Sequence, residues 1–183
     1  MRIELLSAAE SATVAPLTRL INTVYAEGEK GLWQEGAART SEAEMAELIG
    51  RGQIAVARRD GRIVGCIRVQ QPGPGLGELG LLAAAPEERG TGVGRELVAF
   101  AEQWARGRGL PTMQLELLVP DGWEHPMKEF LRAWYTRIGY AVVGSGEVAE
   151  AHPDLAPLLA TPCRFLVFHK HLAQREVLHK SFA

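Results

Sequence analysis

The residues whose types and spacing point most directly to chemistry lie between Glu78 and Arg95, ELGLLAAAPEERGTGVGR. Leu79 to Ala84 is an apolar run of strand length, Pro86 breaks any helix, and Arg89-Gly90-Thr91-Gly92-Val93-Gly94 opens a strongly amphipathic segment. A strand, a glycine turn and a helix in that order make an anion site. Glycines let a ligand approach the backbone, and the first-turn N–H groups have no acceptor within the helix. The expected guest is a phosphate. The P-loop pattern does not fit, because it has Lys and then Ser or Thr after its last glycine, and here Arg95 and Glu96 follow. The dinucleotide fingerprint does not fit either: Gly90, Gly92 and Gly94 are two apart and follow a strand that is not the first. A loop that merely tightens a strand-to-helix turn is the plain alternative for this stretch alone.

The elements that position this loop come from a chain of 183 residues, 46% hydrophobic, which is enough for one core and gives no sign of a second domain; residues 1–183 are read as one domain. A net charge of −2 argues against nucleic acid or an acidic membrane surface as a partner. The start, MRIELLSAAE, lacks the apolar region of a secretory signal, and no apolar run approaches the ~18 residues of a membrane span, so a cytoplasmic protein is expected. Cys66 and Cys163 are isolated within apolar patterns and are read as reduced, buried thiols rather than a disulfide or metal site.

Arg2 to Leu6 alternates weakly as a first strand, and Val14, Leu17, Leu20, Ile21 and Val24 recur at helical spacing. A polar, glycine-dotted loop follows, and its Trp33 either covers a substrate or anchors the loop on the core. Ser41 heads a second helix, with Glu44 placed for a capping box. Gln53 to Arg58 and Arg62 to Gln70 flank Asp60-Gly61 as a hairpin, and QQPGPGLGE reads as a Pro/Gly loop before the strand already described. The amphipathic helix after it spans Val93 to Arg106, burying Val93, Leu97, Val98, Ala101, Trp104 and Ala105. Thr112 to Val119 is the fifth strand. Met127 to Ile138 is a fourth helix whose apolar side is Phe130, Leu131, Trp134 and Ile138, stopped by Gly139. Tyr140 begins a strand, Asp154 to Leu159 is a short helix, Arg164 to Lys170 is the closing strand, and the tail QREVLHKSFA has no assignment.

Arg89, Gly92 and Gly94 match the Arg/Gln-x-x-Gly-x-Gly/Ala signature of the GNAT superfamily of acetyl-CoA-dependent N-acyltransferases, and AWYTRIGY is similar to that family's ending of the fourth helix. The element order resembles the family's over nearly the whole chain. The resemblance implies an α/β (α+β) fold with a mixed, mostly antiparallel central sheet, splayed between strands four and five and flanked by helices. It implies acetyl-CoA as co-substrate, with its pantetheine arm in the splay. Leu82 and Ala84 would pair with that arm alongside Ala83, and the pyrophosphate would lie on the N–H groups of Arg89, Gly90, Thr91, Gly92, Val93, Gly94 and Arg95. The Arg89 guanidinium would add charge or only shape the loop.

The implied reaction is the attack of a neutral amine on the thioester, which needs an acid, a base and a donor for the carbonyl oxygen, and no metal. Tyr135 matches the family's general acid; the bland alternative is a packed tyrosine bonded to backbone. The Leu82 N–H is the expected donor. Glu78, placed by strand alternation on the face of Leu82, is the first candidate base, Glu116 on the fifth strand the second and His125 the third. The sequence departs from the family at Lys128, which stands where many relatives have an Asn that contacts pantetheine. After the extended loop PDGWEHPM, Lys128 would instead reach a cofactor phosphate or a substrate acid, with Trp123, His125 and the Trp33 loop partly closing the site. Glu78, Glu116, Asp121 and Glu124 near the mouth hint at a cationic amine, small or on a protein. A homodimer stays open, and so does a non-catalytic acyl-CoA-binding module.

Overall fold

The computed structural model describes residues 1–173; the tail from Gln174 lies outside them. In chain order the elements are β1 (Arg2–Leu5), α1 (Val14–Gly28), α2 (Glu42–Gly50), β2 (Ile54–Arg59), β3 (Arg62–Gly73), β4 (Leu76–Ala84), α3 (Val93–Arg106), β5 (Thr112–Pro120), α4 (Pro126–Arg137), β6 (Ala141–Glu147), α5 (Val148–Ala151) and β7 (Cys163–His171). Between β6 and β7 the one expected helix is replaced by α5 and a 3₁₀ turn at Ala156–Leu158.

The strands form a seven-stranded sheet in the order β1-β2-β3-β4-β5-β7-β6. Every neighbouring pair is antiparallel except β4 and β5, which run parallel and meet only at Leu76–Thr112, Gly77–Met113 and Glu78–Gln114. Beyond Glu78 they part, as the splayed sheet requires.

Local chemistry explains most of these elements. Asp60 and Gly61 have φ of 51° and 78°, the left-handed pair a two-residue hairpin turn demands. The Ser41 hydroxyl accepts the Glu44 N–H at 3.1 Å, but the Glu44 carboxylate turns to the Thr40 hydroxyl, so half of the expected capping box forms. The expected loop QQPGPGLGE is mostly strand: β3 runs to Gly73 and only Pro74-Gly75 turns. A register shift between Gln70 and Gly73 absorbs Pro72, which has no N–H to give the ladder.

One face of the sheet carries α3 and α4. The expected stripe of α3 packs there with Tyr135, Tyr140 and Phe168, Trp104 being only partly buried, and α3 sits so close that a Cβ on Gly65 would meet the Ala83 carbonyl and Val93 at 2.8 Å. On α4 the apolar side is rotated from expectation: Phe130 is 58% exposed, whereas Lys128 and Tyr135 are buried. The other face carries α1 and α2 over Ile54, Val56, Cys66, Leu81 and Ala83. A smaller cluster of Leu32, Leu118, Val148, Cys163 and Phe165 packs beyond the splay. No helix among the described residues is long and apolar enough to cross a membrane.

A β-bulge interrupts β4. Arg68 pairs with Gly80 but Cys66 with Ala83, so β4 carries one extra residue opposite Ile67, and Leu81 takes φ of 46°. Alternation is therefore reset. Leu79 and Leu82 pack toward α3, while Leu81 and Ala83 pack toward α1. Glu78 and Leu82 thus lie on opposite faces, contrary to the expectation from unbroken alternation.

Burial pushes the Cys66 thiol up to about 12, and pushes the Tyr25 phenol up to about 12 against a smaller opposing effect of Arg39. In the unfolded chain thiols ionise from about pH 8.5 and phenols from about pH 10. The native state keeps both protonated, so their contribution to stability is complete below about pH 8.5 and is lost as pH rises toward 12. Thermal melts should accordingly hold steady from pH 7 to 8 and fall progressively above pH 9, and Cys66→Ala should soften the first part of that fall.

Candidate active site

The gap between β4 and β5 is lined on the β4 side by backbone. The Ala85 N–H donates to the Val64 carbonyl at 2.9 Å, so Ala85 and Ala83 face β3, and alternation turns the polar groups of Ala84 and Leu82 toward the gap. Past the end of β4 the chain enters the glycine loop. Gly92 caps α3 with φ of 90°, and its carbonyl accepts the Glu96 N–H at 3.1 Å. The N–H groups of Gly90, Gly92, Val93, Gly94 and Arg95 have no backbone acceptor among the described residues. The loop's side chains are engaged elsewhere: Arg89 donates to Glu27 on α1 at 2.6 Å, and the Thr91 hydroxyl donates to Glu88. The loop thus offers a diphosphate an array of backbone donors at a helix N-terminus, with Arg89 shaping the loop.

Tyr135, on α4, sits among Trp134, Tyr140 and Phe168 with ring centroids 4.9 to 6.1 Å away. Its hydroxyl makes no hydrogen bond to a described residue, unlike the packed tyrosine of the bland alternative. Burial, and secondarily the nearness of Tyr25, raises its pKa far above that of an ordinary phenol, so it holds its proton throughout the physiological range. Tyr25 comes from α1 on the other face, where it packs against the cluster that holds Leu81 and Ala83 of β4.

The candidate bases differ sharply in their surroundings. Glu78 lies at the last β4–β5 pair, where one oxygen accepts from Arg68 at 3.0 Å and Gln70 at 2.6 Å and the other from Gln114 at 2.9 Å. The Gln114 amide oxygen in turn contacts the His169 ring at 2.8 Å. Glu78 therefore fastens the vertex of the splay. Glu116, two residues further along β5 on the same face as Gln114, lies beyond the vertex, and its carboxylate meets His152 Nε2 at 2.8 Å. His152 stacks edge-on against Phe165. Nothing local in the sequence marks this histidine, since only the β6–β7 connection folding back on β5 brings it to Glu116.

His125 caps α4: its Nδ1 accepts the Met127 N–H at 3.2 Å, which leaves Nε2–H to donate to the Lys30 carbonyl at 3.1 Å. Lys128 is buried, and its ammonium pairs with Glu29, which caps the C-terminus of α1, at 2.5 Å; the other Glu29 oxygen accepts from the Trp33 indole at 2.5 Å. Lys128 is thus a clamp between α4 and the end of α1 and is not free for a phosphate or a substrate acid, which corrects the expectation from its sequence position. Trp33 is anchored by Glu29 and by a bridge to Leu159, and it lines a cavity of about 220 Å³ with Tyr25, Glu29, Arg39 and Leu155. Trp123, 43% exposed, lies beside His125 at the rim.

Two members of the acidic rim expected to favour a cationic amine are paired with cations: Glu78 with Arg68, and Asp121, which lies 3.0 Å from Arg164, while Glu116 contacts the His152 ring.

Residues 19–143 match the acetyltransferase (GNAT) family model, well over half of the chain. The chain belongs to the GNAT acetyltransferase family. No curated protein sequence matches it significantly. Among solved structures it is similar to an aminoglycoside 6′-N-acetyltransferase complexed with coenzyme A, at 18% identity over 96% of this chain and 99% of that one, with a TM-score of 0.72. It is also similar to a ribosomal-protein-alanine N-acetyltransferase from Brucella melitensis, at 20% identity over 94% of this chain and 100% of that one, with a TM-score of 0.68. At these identities the likeness shows the fold. As a GNAT acetyltransferase the protein takes acetyl-CoA as co-substrate, and the free donors of the glycine loop suit its pyrophosphate.

Two substitutions check these assignments. Gly94 has ordinary φ, and a Cβ there would meet only Trp134 at 4.0 Å, so Gly94→Asp should keep or raise the melting temperature by adding a charge favourable to the helix. The same charge should weaken coenzyme A binding by at least about 10-fold in calorimetry. Lys128→Met leaves a buried carboxylate alone and should cost about 3 kcal/mol of stability, while coenzyme A affinity stays within about 2-fold. A large loss of affinity instead would return Lys128 to the phosphate site.

Proposed function

We propose that this acetyltransferase moves the acetyl group of acetyl-CoA to a primary amine, small or on a protein, by direct attack within a ternary complex. The observation that carries this reading is Tyr135, a proton-holding phenol at the gap whose hydroxyl is engaged by no described residue. Acetyl-CoA supplies a thioester, and the chain supplies four functions around it. The glycine loop holds the pyrophosphate; Ala84 and Leu82 align the pantetheine arm; the Leu82 N–H donates to the carbonyl oxygen as charge gathers there; and Tyr135 gives its proton to the departing sulfur. Glu116, held by His152, takes the proton that a substrate ammonium must lose before it can attack. The proton shed by the new amide nitrogen then restores Tyr135. Glu116 is favoured over Glu78 because both oxygens of Glu78 are committed to three donors, one of them a guanidinium, and taking up a proton there would break the vertex. His125, tied at both ring nitrogens, serves as a cap.

Free-thiol release with acetyl-CoA and a panel of amines tests the activity. Tyr135→Phe should lower kcat by roughly 10²–10⁴-fold with acetyl-CoA affinity unchanged within about 2-fold. Glu116→Gln should flatten the rise of rate with pH, whereas Glu78→Gln should chiefly lower the melting temperature by orphaning Arg68. If Glu78→Gln flattens the profile and Glu116→Gln does not, the base is Glu78. Saturable acetyl-CoA binding with no thiol release on any amine would make the protein a binding module.

A further inference from the structure

The cavity beside Tyr25 carries more information about the acceptor than the rim does. It lies between α1 and the loop that follows; Tyr25, which lines it, packs against the cluster that holds Leu81 and Ala83 of β4, and Glu29, which also lines it, is paired to Lys128 of α4, so the cavity adjoins the elements on both sides of the gap. Its charge is one-sided. Glu29, the acidic residue that lines it, is consumed by Lys128 and the Trp33 indole. Lys30 and Arg39 also line it, and neither makes an ion pair among the described residues. The guanidinium of Arg39 is laid over the Tyr25 ring, 5.2 Å from its centroid, which fixes the charge in place while its N–H fork remains open. From the sheet side, Arg68 is also near enough to Tyr25 to favour its ionised form, and Arg68 Nε is buried with no partner among the described residues. Trp33 and Leu155 supply an apolar wall. At about 220 Å³ the cavity is smaller than the roughly 300–1,000 Å³ of pockets for drug-sized ligands.

A small cavity with an open guanidinium, a lysine that makes no ion pair among the described residues, a neutralised carboxylate and an apolar wall fits an anion on a compact, partly apolar molecule. Resting on the proposed amine acetylation, we infer that the acceptor is a free α-amino acid or a similarly small amine bearing a carboxylate. Its carboxylate is held by the Arg39 fork, its side chain lies against Trp33 and Leu155, and its nitrogen is directed past Tyr25 into the splay. The same cations disfavour the ammonium form of a nitrogen brought near them and so assist its deprotonation.

Rates of thiol release are measured for leucine, leucinamide, isopentylamine and spermidine. A charge-assisted contact predicts a kcat/KM for leucine roughly 10–100-fold above that for the two carboxylate-free monoamines. Arg39→Gln should bring leucine and leucinamide to within about 3-fold of each other, and Arg39→Lys should restore part of the difference. A wild-type preference for leucinamide or spermidine overturns the inference, and so does an Arg39→Gln variant that lowers all four amines equally. A readout independent of turnover is calorimetric binding of N-acetyl-leucine to the coenzyme A complex, which Arg39→Gln should weaken by at least about 10-fold. Turnover of carboxylate-free amines without N-acetyl-leucine binding removes this inference and leaves the amine acetyltransferase. N-acetyl-leucine binding without turnover of any amine removes the enzymatic reading and leaves the site.

Discussion

The parting of β4 from β5 after three residue pairs is the constraint on which the rest of the structure depends. A sheet interior normally satisfies its own backbone, and buried N–H and C=O groups left without partners cost several kcal/mol. Opening the middle of the sheet exposes one edge of β4 between two hydrophobic faces, and an extended molecule with alternating donors and acceptors can pair with that edge as a missing strand would. The phosphate loop follows directly because the free edge of β4 runs out at Ala84 and the chain must turn into α3, whose N-terminal donors continue the same line. Residues near the gap thus serve to open it, to keep it open, or to face whatever fills it.

Keeping it open requires fasteners on both sides. At the vertex, Glu78 draws together Arg68 and Gln70 from β3 and Gln114 from β5, and Gln114 passes the contact to His169 on β7, so the last paired rung is tied across four strands. On the far side of the gap, Lys128 and Glu29 join α4 to α1, with His125 adding a bond to the backbone at Lys30. A buried ion pair gains little over well-packed apolar residues, but it strongly penalises either partner being displaced, which suits a clamp that sets the position of Tyr135. Of the acidic residues expected to form a substrate-attracting rim, Glu78 is part of these fasteners.

Most of the fold was legible because its signals are local. The stripe of α3, the Asp60-Gly61 turn and the glycine spacing after β4 each depend on residues close in sequence, and each formed where expected. What was missed depends on distance or on backbone that sequence does not mark. His152 meets Glu116 across 36 residues, and Lys128 meets Glu29 across 99. Periodicity placed Phe130 in the core of α4 because it is apolar, whereas the helix turns Tyr135 and Lys128 inward, where aromatic packing and a buried counter-ion repay their polar ends. Pro72 marks a loop by sequence because it cannot serve a ladder, yet a register shift gives it room within β3.

The bulge at Leu81 has no sequence marker at all, since leucine is among the residues least suited to positive φ. It nevertheless decides which way each later residue of β4 faces. One surplus residue is what separates a strand that would close over its neighbour's side chains from one that turns Leu82 away from Glu78. The length of β4 is therefore information of a different kind from its composition. Any apolar residue of similar size can be exchanged along this strand at modest loss, but removing a single residue between Gly80 and Ala83 would leave a smoother ladder with Leu82 and the carbonyl-facing edge re-dealt. Selection on this segment would act on counting as much as on chemistry, so related chains should tolerate substitutions here far more readily than insertions or deletions.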